Sequence, residues 1–121
     1  MAQSTLKHPR ALMRELAREY QIADEDEVLA FLERHPDAAP LLFDIRSNIR
    51  RYFGDDAVRL DMSYDLEWPE DGPEMVANIQ TPLRSADAID SWRQLGRDWW
   101  FKKRGETAAP ILVSFEHVRR V

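Results

Sequence analysis

The chain has no cysteine. That excludes a disulfide framework, a thiolate nucleophile and any cysteine-ligated metal centre, and it suits a reducing compartment. Glycine is scarce, and the four residues at 54, 72, 96 and 105 are too scattered to form a Walker loop or a GxGxxG turn around phosphate. The three histidines, His8, His35 and His117, lie far apart with no HxxxH spacing. The sequence therefore offers no metal ligand set, and no cofactor is expected. No serine stands in a GxSxG elbow. No apolar run approaches the ~18 residues of a membrane span. The first residues, MAQSTLKHPRALMREL, lack the apolar core of a secretory signal. Together these absences predict a cytoplasmic protein with no membrane partner and no familiar catalytic motif.

What is present is an ordinary globular composition: 121 residues, 44% hydrophobic and 32% charged. One domain of this size buries roughly two-thirds of its unfolded surface and needs no crosslink. The net charge of −5 disfavours a dedicated duplex-binding protein, whose affinity comes mostly from phosphate contacts. The charge is segregated, however. Residues 1–19, 45–51 and 81–104 are net basic, whereas 20–44 and 52–80 carry net charges of −6 and −7.

Residues 1–8 lack apolar periodicity and read as a flexible tail, leaving 9–121 as a single domain. From Pro9, the positions Leu12, Met13, Leu16 and Tyr20 follow helical spacing. Asp24, with Glu27 three residues on, caps a second helix whose apolar face is Val28, Leu29, Phe31 and Leu32. His35-Pro36 stops it. Asp37 is the next expected cap, for a long helix through Leu41, Leu42, Ile45, Ile49 and Tyr52-Phe53 to Gly54.

At Ala57 the period changes to two. Val58, Leu60, Met62, Tyr64 and Leu66 alternate with Arg59, Asp61, Ser63, Asp65 and Glu67, which predicts one half-buried strand over 57–67. WPEDGP is a turn, and Met75–Thr81 reads as a hairpin partner. Ser85 opens a last helix with Ile89, Trp92, Leu95 and Trp99 on one face, and Ile111–Val118 alternates as a third strand. The class is α+β: N-terminal helices followed by a β-β-α-β unit. A right-handed crossover makes the second and third strands parallel, and the first strand fits between them, giving a three-stranded mixed sheet in order 2-1-3 packed against helices.

Three groups of residues invite a functional reading. Asp61, Asp65, Glu67, Glu70 and Asp71 concentrate acid on the first strand and the following loop, either as a solvated face or as a docking surface for a basic protein. Their spacing is not that of a calcium loop. Arg46, Arg50 and Arg51, with Lys102, Lys103 and Arg104, form a basic set that could meet nucleic acid. The macrodipole at two helix C-termini accounts for the same cations without a ligand. In DWWFKKR, Trp99 joins the core face, and Trp100 and Phe101 fall about 100° and 200° further round, so Trp100 is the candidate exposed aromatic.

Phe31-Leu32, His35-Pro36, Leu41-Leu42, Tyr52-Phe53 and Trp99-Trp100 together make an FLxxHP…LL…YF…WW pattern over residues 24–118. In this the chain resembles a group of small, acidic, uncharacterised bacterial proteins. It departs from them after the tryptophans, where FKKR replaces an acidic or neutral stretch. The resemblance implies a bacterial cytoplasmic protein and brings no activity, cofactor or site residue with it. Small proteins of that kind are often accessory members of two-gene pairs.

The leading expectation is thus a non-catalytic protein-interaction module, an adaptor or an antitoxin- or inhibitor-like partner, that uses the acidic face and hairpin loop. The alternatives are a nucleic-acid-associated protein working through the basic set, and a small enzyme or ligand-binding domain with a cleft between helices and sheet. A homo-oligomer formed through a free sheet edge fits any of the three.

Overall fold

The computed structural model describes residues 8–67, 70 and 72–119. Helix α1 (Pro9–Leu16) begins with proline at its first position, where the missing N–H costs nothing. His8 caps it, its ring Nδ1 accepting the Arg10 N–H at 3.2 Å. His8 therefore belongs to the helix start, and the rest of the expected tail lies outside the described residues. A two-residue strand β1 (Gln21–Ile22) follows. In α2 (Glu25–Arg34) Asp24 accepts the Glu27 N–H at 3.1 Å, and His35 closes the helix by donating its N–H to Phe31. Helix α3 (Ala38–Phe53) ends at Gly54, whose φ of +62° is a region that favours glycine. Asp37 stands at the head of α3 but makes no capping bond. Its carboxylate instead accepts the Thr107 hydroxyl at 3.3 Å.

The sheet departs from expectation. It has four strands in the order β1-β2-β3-β4, with β2 at Ala57–Ser63, β3 at Glu74–Thr81 and β4 at Ile111–His117. β2 and β3 form the antiparallel hairpin, and β3 and β4 run parallel from Met75↔Ile111 to Thr81↔His117. The expected 2-1-3 order put the 57–67 strand in the centre, but the central position next to β4 belongs to β3. The reason lies at the outer side of β2. There β1 pairs in parallel with Arg59 and Leu60, and Ala23 donates its N–H to the Leu60 carbonyl. With that side taken, β4 joins β3.

One face of the sheet is dry. Val58, Leu60, Met75, Ala77, Ile79, Ile111 and Val113 are buried together with Leu16, Val28, Phe31, Leu42, Ile45 and Ile49 from the helices. Each large side chain so buried contributes roughly 1.5–3 kcal/mol before conformational entropy is counted. The other face carries Arg59, Asp61, Asn78, Gln80, Ser114 and Glu116, alternating with the buried set as a pleated strand requires.

Between β3 and β4 the chain forms α4 (Ser85–Leu95), a π-helical turn (Gly96–Trp100) and a short α5 (Phe101–Gly105). The Phe101 N–H reaches the Gly96 carbonyl five residues back. A π-turn adds a residue to one helical turn and shifts every later side chain around the axis. Trp100 consequently joins Leu95 in the core and is only 2% exposed. The sequence periodicity had made Trp100 the exposed aromatic. That position belongs to Phe101, at 45% exposure.

Candidate functional site: an acidic end of the sheet

β2 leaves the sheet at Ser63, earlier than the alternation of the sequence implied. Tyr64 and Leu66 therefore face solvent, at 49% and 92% exposure, although both sit at positions expected to be inward. Asp65 and Glu67 are likewise not on the strand. They form a local turn in which the Asp65 carboxylate accepts the Glu67 N–H at 2.9 Å.

Tyr64 lies beside α2: it borders the same cavity as Glu27, and the neighbouring Glu27 carboxylate raises its phenol above the ordinary value. Glu27 belongs to the first turn of α2, with Glu25 and Asp26 beside it and Asp24 at the cap. Acids are favoured at a helix N-terminus because they oppose its positive dipole end. The two most acidic segments of the chain thus meet at one end of the sheet. Beside them lies a cavity of about 490 Å³ bordered by Glu27, Phe31, Arg34, Tyr64, Glu70 and Pro73. Arg34 crowds Gly72, where a Cβ would sit 3.2 Å from its Nη1 and φ is +79°. Asp71 lies outside the described residues.

Asp61 belongs to a different environment. On the open sheet face, the Arg59 Nε meets Asp61 at 2.8 Å and its Nη2 meets Glu116 at 3.1 Å. Asn78 and Gln80 donate to the same two carboxylates, at 3.5 and 3.3 Å. That part of the expected acidic face is a hydrogen-bonded network in which Arg59 bridges both carboxylates.

The expected basic set is also divided. Arg46 is 6% exposed, its Nε donating to the Glu19 carbonyl at 2.9 Å and its Nη2 to the Asp56 carbonyl at 3.2 Å. It is an internal brace and not a surface cation. Arg50 grips Glu19 with two bonds, the shorter 2.6 Å, and Arg51 alone of the three is exposed without a hydrogen bond or ion pair among the described residues. Lys102, Lys103 and Arg104 occupy the last turn of α5. Lys103 borders small hollows alongside Asp98 and Glu106, and alongside Asp37 and Asp44. Acids therefore intersperse these cations, and α3 and α5 do not present one continuous basic surface.

Among the described residues, no three histidine or acidic side chains are grouped closely enough to hold a metal ion. Nor is any helix among them long and apolar enough to cross a membrane. The contributions of Asp24–Glu27, Tyr64 and Leu66 were not apparent from the sequence. The apolar letters at 64 and 66 continued a strand pattern, and only the cavity that Tyr64 shares with Glu27 shows which helix the turn approaches. Comparison of the chain with protein-family models, with curated proteins and with solved structures finds no match.

Proposed function

We propose that the domain is a non-catalytic protein-interaction module, an adaptor or inhibitor-like partner that docks a basic protein surface on the acidic end of its sheet. The observation that supports this most is the cavity where Glu27 of α2 meets Tyr64 and Glu70 of the β2–β3 connection, with an almost fully exposed Leu66 two residues along from Tyr64. Exposed apolar surface in a mainly acidic segment combines the two elements of a specific encounter. The charge steers association and sets specificity, and the desolvated side chain slows dissociation.

The test is retention of a partner from lysate by the tagged chain, after nuclease treatment and at low and moderate salt. The variants are Asp65→Ser with Glu67→Ser, and Leu66→Ser alone. Loss of one stoichiometric partner with both variants, while circular dichroism and melting stay unchanged, is the expected result. A partner bound equally by wild type and variants would move the contact elsewhere, and retention abolished by nuclease would replace the proposal with nucleic-acid binding.

A further inference from the structure

At the opposite side of the sheet, a groove of about 400 Å³ runs between the π-turn, α5 and the outer edge of β4, bordered by Val76, Trp92, Phe101, Arg104, Leu112 and Ser114. We infer that this groove is a binding site for an amphipathic carboxylate, whose flat apolar body lies against Trp92, Phe101 and Leu112 and whose acid group meets Arg104.

The first support is that the walls are held open. The Trp92 Nε1 donates to the Val113 carbonyl at 2.9 Å, which ties the indole to the strand edge and prevents it from folding inward. The ring of Phe115 backs it at 6.0 Å. Phe101 lies directly over Gly96, where a Cβ would come within 2.5 Å of the ring. It stands edge-on to Trp92, with centroids 6.5 Å apart and planes at 83°. Val76 and Leu112 are register partners on adjacent strands and form a flat floor. An apolar hollow fixed in this way keeps water against aromatic surface, and displacing that water with an apolar body is favourable. Its size falls within the range of small-ligand sites. The π-turn that brings Phe101 to this position is a feature often found at functional sites.

The second support is charge. Among the described residues, Arg104 is the one ionic group bordering the groove, and no carboxylate borders it. Its guanidinium sits 5.7 Å from the Phe101 centroid, a cation–π arrangement that orients the fork. It makes no ion pair among the described residues. An oriented, unpaired guanidinium matches a carboxylate bidentately, and Ser114 supplies a hydroxyl nearby. A neutral ligand leaves Arg104 unused, and a cationic one is repelled. This site is independent of the acidic end.

The full-length, ¹⁵N-labelled protein would be titrated with 4-phenylbutyrate and with its neutral counterpart 4-phenylbutanol. Binding is read at the Trp92 indole N–H, assigned by its loss in Trp92→Phe. A saturable shift is expected, with the acid binding roughly tenfold or more tightly than the alcohol, as a charge-assisted contact implies. Arg104→Gln should abolish that preference while leaving the alcohol's affinity in place, and Phe101→Ala should weaken both ligands. Absence of a saturable shift would overturn the inference, as would equal affinity for acid and alcohol. A preference that survives Arg104→Gln would overturn it too.

Discussion

Replacing Arg46 by methionine tests whether a buried guanidinium holds two chain segments to the middle of α3. The carbonyls it meets belong to Glu19, in the link from α1 to β1, and to Asp56, in the turn from α3 to β2. Methionine keeps an unbranched stem of similar reach and removes the fork. Two charge-assisted hydrogen bonds, about 1.5–3 kcal/mol each, are lost, and their carbonyl acceptors are left partly buried without that donor. The loss is partly offset. Burial already pushes the Arg46 guanidinium below its ordinary value, and its Nη1 is buried with no partner. Relieving that desolvation returns roughly 1–3 kcal/mol, in line with the usual cost of an unsatisfied buried polar group. At mid-range values the net expectation is a loss of about 2–3 kcal/mol, a large part of the ~5–15 kcal/mol that stabilises a typical domain.

The assay is urea unfolding followed by tryptophan fluorescence, comparing midpoints at constant m value. Arg50→Gln is the control. Its pair with Glu19 has side chains 42% and 30% exposed, so its removal should cost under about 1 kcal/mol. If Arg46→Met lies within about 0.5 kcal/mol of wild type, or Arg50→Gln costs as much, the brace argument is wrong.

Other consequences can be measured in the same way. Gly96→Ala should destabilise the wild-type chain by displacing the Phe101 ring, whereas in a Phe101→Ala background it should stabilise by roughly 0.5–1 kcal/mol because alanine is the better helix former; a double-mutant cycle of melting curves reads this reversal of sign. Glu19 is held below the ordinary carboxyl value of 4.5, chiefly by its hydrogen bond from Arg50. Its contribution is therefore complete above pH 4.5 and lost as pH falls through its lowered folded value, so wild type and Glu19→Gln should converge in melting temperature on acidification. Tyr20, whose hydroxyl donates to the Leu42 carbonyl, has its phenol raised far above the ordinary 10.0 by burial. Stability should then fall as pH rises above 10.0, and alkaline absorbance titration should show the Tyr20 phenolate only as the chain unfolds.

The helices were readable from sequence because their signals are local. Pro9, Asp24, His35-Pro36 and Gly54 each mark a boundary within a residue or two of where it occurs. Sheet order is not local. Alternation in 57–67 and 75–81 says which side chains share a face, but both strands alternate equally well, so nothing in either says which lies in the centre. The deciding strand, Gln21–Ile22, is too short to have a period at all.

Two errors at the candidate sites share one origin: a period was extended past the point where the backbone changes. Tyr64 and Leu66 continue the two-residue repeat after β2 has ended. Trp99 continues the helical repeat through a π-turn that hands its place to Trp100. Gly96 was the one available clue to that turn, since a ring five residues on can occupy only the space a missing side chain leaves. Arg46 went unrecognised as an internal group because an arginine on a helix reads as surface, and the backbone carbonyls that bury it come from distant parts of the chain.

The parallel pairing of β3 with β4 also bears on how the protein is made. Translation proceeds at roughly 5–20 residues per second, so the interval between the emergence of β3 and that of β4 is on the order of seconds. A hairpin forms in microseconds. During that interval β2 and β3 can already be paired, and the side of β3 that will receive Ile111–His117 is bare. Trp92, whose eventual acceptor is the Val113 carbonyl, has nothing to hold it. The strand enclosed on both sides in the finished sheet is thus, while the chain is being made, an open template for a neighbouring nascent chain, and crowding on one messenger RNA becomes the condition under which this fold is most prone to go wrong.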